Sequence, residues 1–280
     1  MRSAEPIDSH AGGHESRPSL QEEHYGEAVD YTVGSPHLSD PVLRQKLTTQ
    51  LLAALHDLDE RGLPLRVLEI GAGHGGYTEP ALAAGAEVMA VDMSRPALRH
   101  LESRYGTNPG LRCHFSADGS LDEVEGGYTL LLCVSVLHHI PDYAAFLDAA
   151  LEHLGPGASV LTLQDPLWYS RLSKGVHAVD RGSFLTWRLS QGNLARGLAS
   201  LSRRLTHRMR DDKPGDMVEY HVLREGVDEQ AIVELLEGRF RGVSLLPYWS
   251  NQLPIMQRVG RRLGLANTFG VWARDLLPPE

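Results

Sequence analysis

One stretch limits the possible folds more than any other: Val67-Leu68-Glu69-Ile70-Gly71-Ala72-Gly73-His74-Gly75-Gly76, an apolar strand pattern running into a glycine-rich turn that opens a helix. Such a turn brings backbone amides close to a ligand, and glycine is needed because a β-carbon would block the approach and because the turn demands positive φ. From Leu65 onward, short apolar runs alternate with helical patterns, which is the signature of βαβ units and a parallel sheet. Strands are expected at Leu65 to Ile70, Glu87 to Asp92, Leu111 to Phe115, Tyr128 to Val134 and Ser159 to Asp165, with helices near Tyr77 to Ala84, Arg95 to Tyr105 and Tyr143 to Leu154. The rhythm stops after Asp165. It resumes with Asp228 as a helix N-cap before Ala231, Ile232, Leu235 and Leu236, a strand near Val243 to Tyr248 and a last strand near Phe269 to Arg274.

The flanking segments read differently. Residues 1–20 mix Ser, His, Gly, Glu and Pro without the apolar core of a secretory signal, so a disordered tail and a cytoplasmic protein are expected. Residues 21–60 carry Tyr25 and Tyr31 and then the helical series Leu43, Leu47, Leu51, Leu52 and Leu55, an N-terminal helical lid. Residues 61–280 form the main domain, interrupted at about 167–226 by a helical cap. With 42% hydrophobic and 22% charged residues, and no run approaching a membrane span, the chain reads as soluble. Cys113 and Cys133 lie inside strand patterns and suit buried thiols rather than a disulfide. The net charge of −9 argues against a general nucleic-acid binder.

Asp92 ends the second strand about twenty residues after the glycine turn, the position from which a carboxylate grips ribose hydroxyls. Gly71, Gly73 and Gly75 fit the spacing of methyltransferases, and Gly71, Gly73 and Gly76 equally satisfy the dinucleotide fingerprint, so this region alone leaves both open. Later residues separate them. Leu131-Leu132-Cys133-Val134-Ser135-Val136-Leu137-His138-His139-Ile140-Pro141-Asp142 resembles the fourth-strand motif of class I methyltransferases, which use S-adenosylmethionine. Leu154-Gly155-Pro156-Gly157-Ala158 resembles the family's Leu-Lys-Pro-Gly-Gly turn. The ordered set spans about Leu65 to Asp165, with Thr129 where the family usually has Asp and Gly155 where it usually has Lys.

The resemblance implies an α/β, Rossmann-like class I methyltransferase fold: a mostly parallel seven-stranded sheet with an antiparallel last strand. It also implies S-adenosylmethionine as cofactor and S-adenosylhomocysteine as product. Glu69, Gly71, Gly73 and Gly75 would surround the methionine and ribose portions, Asp92 would bind the ribose and Met93 would pack on adenine. Asp118 and Gly119 would meet the adenine amine, Val134 and Ser135 would flank the sulfonium, and Tyr25 and Tyr31 would close over the methionine end.

Methyl transfer is an in-line displacement, so the protein mainly aligns the nucleophile and excludes water; a hydroxyl acceptor also needs a base. Among fourteen histidines, His138, His139 and His221 are the candidates, with Asp165 and Tyr220 as orienting groups. No metal site is expected, because adjacent His138 and His139 lack zinc-ligand spacing and no defensible set of carboxylates offers magnesium ligands. The cap holds ten basic against three acidic residues between Leu167 and Lys213, and its Trp168, Tyr169, Phe184, Trp187 and Tyr220 are expected to line an acceptor pocket. The acceptor is expected to be a small molecule of specialised metabolism, methylated on a hydroxyl, amine or carbon. A non-methylating use of the same pocket and a nicotinamide-dependent oxidoreductase are the alternatives.

Overall fold

The computed structural model of the chain describes residues 34–190 and 226–278. Seven strands, β1 Arg66–Ile70, β2 Glu87–Asp92, β3 Leu111–Phe115, β4 Tyr128–Val134, β5 Leu154–Pro166, β6 Phe240–Tyr248 and β7 Thr268–Leu276, form one sheet in the order β3-β2-β1-β4-β5-β7-β6. Neighbours from β3 through β5 are parallel, and β7 runs antiparallel between β5 and β6. The expected mostly parallel seven-stranded sheet with an antiparallel last strand is therefore present. Strand order reverses between β1 and β4, the switch point beyond whose carboxyl ends open α/β sheets take their ligands.

Among the described residues the helices are α1 Pro36–Ser39, α2 Pro41–Glu60, α3 Thr78–Ala83, α4 Arg95–Tyr105, α5 Tyr143–Leu151, α6 Lys174–Ser190, α7 Glu229–Glu237 and α8 Pro254–Arg262. Alternation along the strands separates two cores. Leu130, Leu132, Leu161 and Leu163 pack on one face with the α2 leucines, whereas Leu131, Cys133, Val160 and Val271 pack on the other with Leu147 of α5 and Ile232 of α7. Asp40 caps α2 by accepting from Leu43 N at 2.8 Å, and Pro41 sits in the first turn, where its missing N–H costs nothing. Leu43, Leu47, Leu51, Leu55 and Leu58 are then buried along one side of α2, each contributing about 2 kcal/mol. Residues 41–60, read from the sequence as lid, thus form a layer of the core.

Three local features differ from the sequence reading. The Gly155-Pro156-Gly157 turn lies within a longer β5: Tyr128 pairs with Leu154 and Leu130 with Ser159, and Gly157 at φ 76 sits in the irregularity between them. Helix α5 stops at Leu151 rather than Leu154. Helix α8 was not anticipated, and its inward side carries Gln257 and Gly260 instead of an apolar row. Thr129, the departure at the start of β4, has a structural role: its hydroxyl donates to Pro64 O at 2.6 Å and accepts from Arg66 N at 3.0 Å.

The two ends of the segment at about 167–226 are joined by a parallel bridge between Leu167 and Val227 and by Arg171, which reaches Asp228 at 2.6 Å and Glu229 at 3.0 Å. The tail at 1–20, the lid residues 21–33 and the cap from 191 to 225 lie outside the described residues, and with them Tyr25, Tyr31, Tyr220 and His221. No described helix is long and apolar enough to cross a membrane.

Candidate active site

The glycine turn leaves β1 with three left-handed residues, Gly71 at φ 67, Gly73 at φ 53 and Gly75 at φ 83. A β-carbon on Gly71 would strike Val136 at 2.5 Å, and one on Gly75 would strike Leu101 at 2.5 Å, so these two positions serve packing. A β-carbon on Gly73 would meet nothing within 4 Å. Gly76 has no positive φ, and its β-carbon would approach only the tip of Leu38, so the left-handed set is 71, 73 and 75.

The carboxylate of Asp92, at the end of β2, holds this turn in place. One oxygen accepts from Gly73 N at 2.8 Å and the other from Ser94 N at 2.8 Å, which leaves further acceptor capacity on both. Burial raises its pKa against the pull of these amides. Ser94 in turn caps α4 by accepting from Ala97 N at 3.3 Å. Met93 is half-buried beside it, and the Arg95 guanidinium lies 3.6 Å over the Phe115 ring at the end of β3. Asp118 and Gly119 are exposed beyond β3, with the Asp118 carboxylate turned to Ser120 N at 2.9 Å, which lowers its pKa. Glu69 is buried on β1 and accepts from the Thr78 hydroxyl at 2.6 Å. Burial pushes its carboxyl up to about 8, the Thr78 bond pulls it down, and the nearby Asp92 charge adds to the rise.

At the carboxyl ends of β4 and β5, two non-glycine residues adopt left-handed backbone, Ser135 at φ 61 and Gln164 at φ 68. Strain of this kind, about 1–3 kcal/mol per residue, persists only where the surroundings enforce it. Ser135 N donates to Leu163 O at 2.8 Å, while Gln164 N donates to the Tyr248 hydroxyl at 2.7 Å and its side-chain amide donates to Ser250 at 2.7 Å. Val134 and Ser135 are half-buried at this tip.

The next turn, Leu137–His139, carries both histidines. His138 donates its backbone N–H to Asp165 Oδ1 at 3.1 Å, and its Nδ1 lies 2.8 Å from the same oxygen. Asp165 is fully buried, and its Oδ2 has no hydrogen-bond partner among the described residues. Burial pushes the Asp165 carboxyl up to about 8 and the His138 imidazole down to about 3, so the pair titrates as a unit. The His139 ring lies 4.0 Å from that of His138, tilted by 43°. His37 of α1 is buried nearby, stacked at 6.4 Å on Tyr77 and close enough for its charge to disfavour protonation of His138.

The aromatic residues assigned to the acceptor side fall into separate contacts. Phe184 and Trp187 stack on α6 at 6.0 Å, and Trp187 packs against Gly34, where a β-carbon would stand 2.8 Å from its ring. Tyr169 lies 5.1 Å from His177, whereas Trp168 donates its backbone N–H to Glu229 and has the Arg171 guanidinium over its ring. Sequence reasoning missed His37, Gln164 and Tyr248. His37 follows a Ser-Pro pair that begins a short helix, but nothing in the sequence signals the strain at Gln164 or its partner in β6. Both cysteines are free, Cys133 buried and Cys113 partly so, and burial raises both thiols.

Residues 68–160 match the family model described as a methyltransferase domain. A ubiquinone biosynthesis O-methyltransferase of Xylella fastidiosa (strain 9a5c) is 31% identical over 124 residues, 42% of this chain and 50% of that protein. The namesake protein of Aromatoleum aromaticum is 35% identical over 100 residues, 34% of this chain and 42% of that protein. The chain therefore spans half or less of the curated relatives it matches. Among solved structures, the N-methyltransferase NodS from Bradyrhizobium japonicum WM9, in complex with S-adenosyl-l-homocysteine, superposes with a TM-score of 0.52 at 15% identity. That match covers 93% of this chain and 97% of NodS and establishes likeness of fold.

Proposed function

We propose that this chain, a class I methyltransferase by its seven-stranded sheet and by the methyltransferase domain at residues 68–160, moves a methyl group from S-adenosylmethionine to a hydroxyl of a small molecule. The observation that carries the reading is Gly73. It alone among the left-handed glycines of the turn faces open space, with its N–H held by Asp92 at the point where strand order reverses. A ligand backbone fits there and a side chain would exclude it.

When bound, S-adenosylmethionine supplies an electrophilic methyl group on a sulfonium. Asp92 offers its remaining lone pairs to ribose hydroxyls, Met93 gives an apolar surface for adenine, and Glu69 stands behind the turn toward the methionine end. The strained tips at Ser135 and Gln164 bring β4 and β5 together where the methyl group is to be transferred.

His138 and Asp165 favour a hydroxyl acceptor. With its extra proton the pair presents N–H at both imidazole nitrogens or a carboxylic acid against Nδ1, and it cannot accept another. Once that proton is lost, Asp165 accepts from Nδ1–H and Nε2 carries no proton, a base able to take the hydroxyl proton as the new oxygen–carbon bond forms. The name O-methyltransferase carried by the partial relatives supports this choice.

The test is incubation of the full chain with S-adenosylmethionine and a panel of phenols, alcohols and amines, followed by mass spectrometry. The reading expects S-adenosylhomocysteine and methyl ethers to appear together from hydroxyl acceptors. Accumulation only with amines would remove the role given to the pair, and no turnover with any acceptor would leave the pocket to another reaction.

A further inference from the structure

Helix α8 is turned inside out relative to an ordinary surface helix, and this observation stands apart from the methyl-transfer reading. Its inward side is polar and glycine-bearing. Gln257 is 1% exposed, accepts from Asn251 N at 2.8 Å and donates to Trp249 O at 3.4 Å, while the Trp249 indole donates to Met256 O at 3.0 Å. Gly260 lies flat on that indole, where any β-carbon would stand 2.3 Å from Nε1. Polar bonds and the glycine contact thus fix the roll of the helix. The aliphatic side chains are left outside: Ile255 is 71% exposed, Val259 41% and Leu263 68%, in a row at spacings of four.

Burial of apolar surface normally sets which way a helix faces. Here that preference is overruled by specific contacts, so the exposed row has a use for its exposure. Its charge surroundings say what kind of partner suits it. Arg258 and Arg262 are exposed on the same outward side, and Arg261 pairs with Asp40 at 3.6 Å. Arg239 and Arg241, at the start of β6 and so at the opposite edge of the sheet, pair with Asp148 at 2.6 Å and Asp275 at 3.0 Å, so the positive charge of this face is that of Arg258 and Arg262. The row is a convex ridge on a single helix, about 12 Å long at 1.5 Å per residue, and it suits a flat, yielding surface.

We propose that the outward face of α8 docks the protein on a membrane surface bearing anionic lipid headgroups. Ile255, Val259 and Leu263 enter the headgroup and acyl boundary, and Arg258 and Arg262 meet lipid phosphates. Because β6 runs parallel to β5, α8 leaves the sheet at the same carboxyl edge as Gly73, His138 and Asp165. Docking therefore turns the candidate active site toward the bilayer. Three aliphatic side chains alone hold a protein weakly, so the arginines are needed and binding is salt-sensitive.

Co-sedimentation of the full chain with vesicles of phosphatidylcholine, alone or mixed with phosphatidylglycerol, tests this. The expected result is pelleting with the mixed vesicles at low salt, little with phosphatidylcholine alone, and release at high salt. Ile255→Ser with Leu263→Ser, and separately Arg258→Gln with Arg262→Gln, should each weaken binding by about tenfold or more with unchanged melting. The proposal is overturned if the parent chain stays in the supernatant with the mixed vesicles, or if both variants pellet as it does. It is equally overturned if the parent chain is a dimer that the serine variant dissociates without any vesicle binding, since the ridge would then be an interface between two copies.

Discussion

His138 and Asp165 meet at 2.8 Å because β5 is irregular just before it ends. Leu161 and Leu163 point into one core and Val160 into the other, so strict alternation would place Asp165 with the two leucines. The register shifts between Thr162 and Asp165, Gln164 turns left-handed at φ 68, and Asp165 is re-aimed at the turn that follows β4. Tyr248 and Ser250 hold Gln164 in that conformation through its backbone N–H and side-chain amide.

Turnover on a hydroxyl acceptor should therefore rise with pH and level off above about 8, where the pair gives up its extra proton and Nε2 becomes a base. Asp165→Asn should lower kcat by about a hundredfold and remove that inflection, with little change in cofactor affinity. Steady-state rates measured from mildly acidic to alkaline pH on both proteins check it. A flat profile in the parent chain would contradict the base.

The two glycines flanking His74 should fail in opposite ways. Gly73→Ala places its methyl in open space at φ 53, so it should cost about 1–2 kcal/mol of stability through backbone strain and still abolish cofactor binding. Gly75→Ala adds a clash with Leu101 to strain at φ 83 and should cost about 2–4 kcal/mol. Denaturant unfolding and calorimetric titration on the same two variants separate the effects. Equal loss of binding per unit of lost stability would mean that Gly73 does not face the ligand.

Asp92→Ala removes the acceptor of Gly73 N and the group assigned to the ribose, and should weaken S-adenosylhomocysteine binding by about 1.5–3 kcal/mol. Asp118→Ala, at an exposed carboxylate satisfied by its own loop, should cost less. The order of the two dissociation constants is the check, and the reverse order would move the adenosine end of the site.

Stability should fall as pH rises from about 6.5 to about 8. In the fold, burial pushes Glu69 and Asp165 up to about 8 from 4.5 and 3.8, and pushes His37 and His138 down from 6.5 to about 4 and about 3. A raised carboxyl makes the fold hold a proton that the unfolded chain has lost, so stability declines with pH between the two values; a lowered histidine acts with the opposite sign. Below 6.5 the two kinds offset one another. Above it the unfolded histidines are already neutral and only the carboxyls act, by about 1.4 kcal/mol per pH unit each at most. Glu69→Gln should flatten roughly half of that decline in urea unfolding curves taken across the window. An unchanged slope would mean that Glu69 is ionised in the fold.

How much of this was legible in the sequence follows from what kind of signal each part gives. The βαβ rhythm, Asp92 at the tip of β2 and Asp228 as a cap are local patterns, and the structure has them within a few residues. The leucines of α2 signalled a helix but not its place, because an apolar row looks the same whether it closes over a site or packs beneath a sheet. The Gly155 to Gly157 stretch is read as a turn from its resemblance to the Leu-Lys-Pro-Gly-Gly turn, whereas β4 pairs on both sides of it, a long-range relation that no local motif reports. The bulge at Gln164 depends on Tyr248, which lies 84 residues away, and no local pattern reports a contact of that range. The orientation of α8 rests on Trp249 lying against Gly260, again a packing relation that periodicity does not carry. Tyr25, Tyr31, Tyr220 and His221 lie outside the described residues.

The most direct test of the central claim is isothermal titration of S-adenosylhomocysteine into the full chain, with NAD and NADP titrated in parallel. Saturable one-to-one binding of S-adenosylhomocysteine, no heat from either dinucleotide, and loss of the signal in Gly73→Val are the predicted results. Absence of S-adenosylhomocysteine binding, or binding that Gly73→Val leaves intact in a folded protein, would contradict the account.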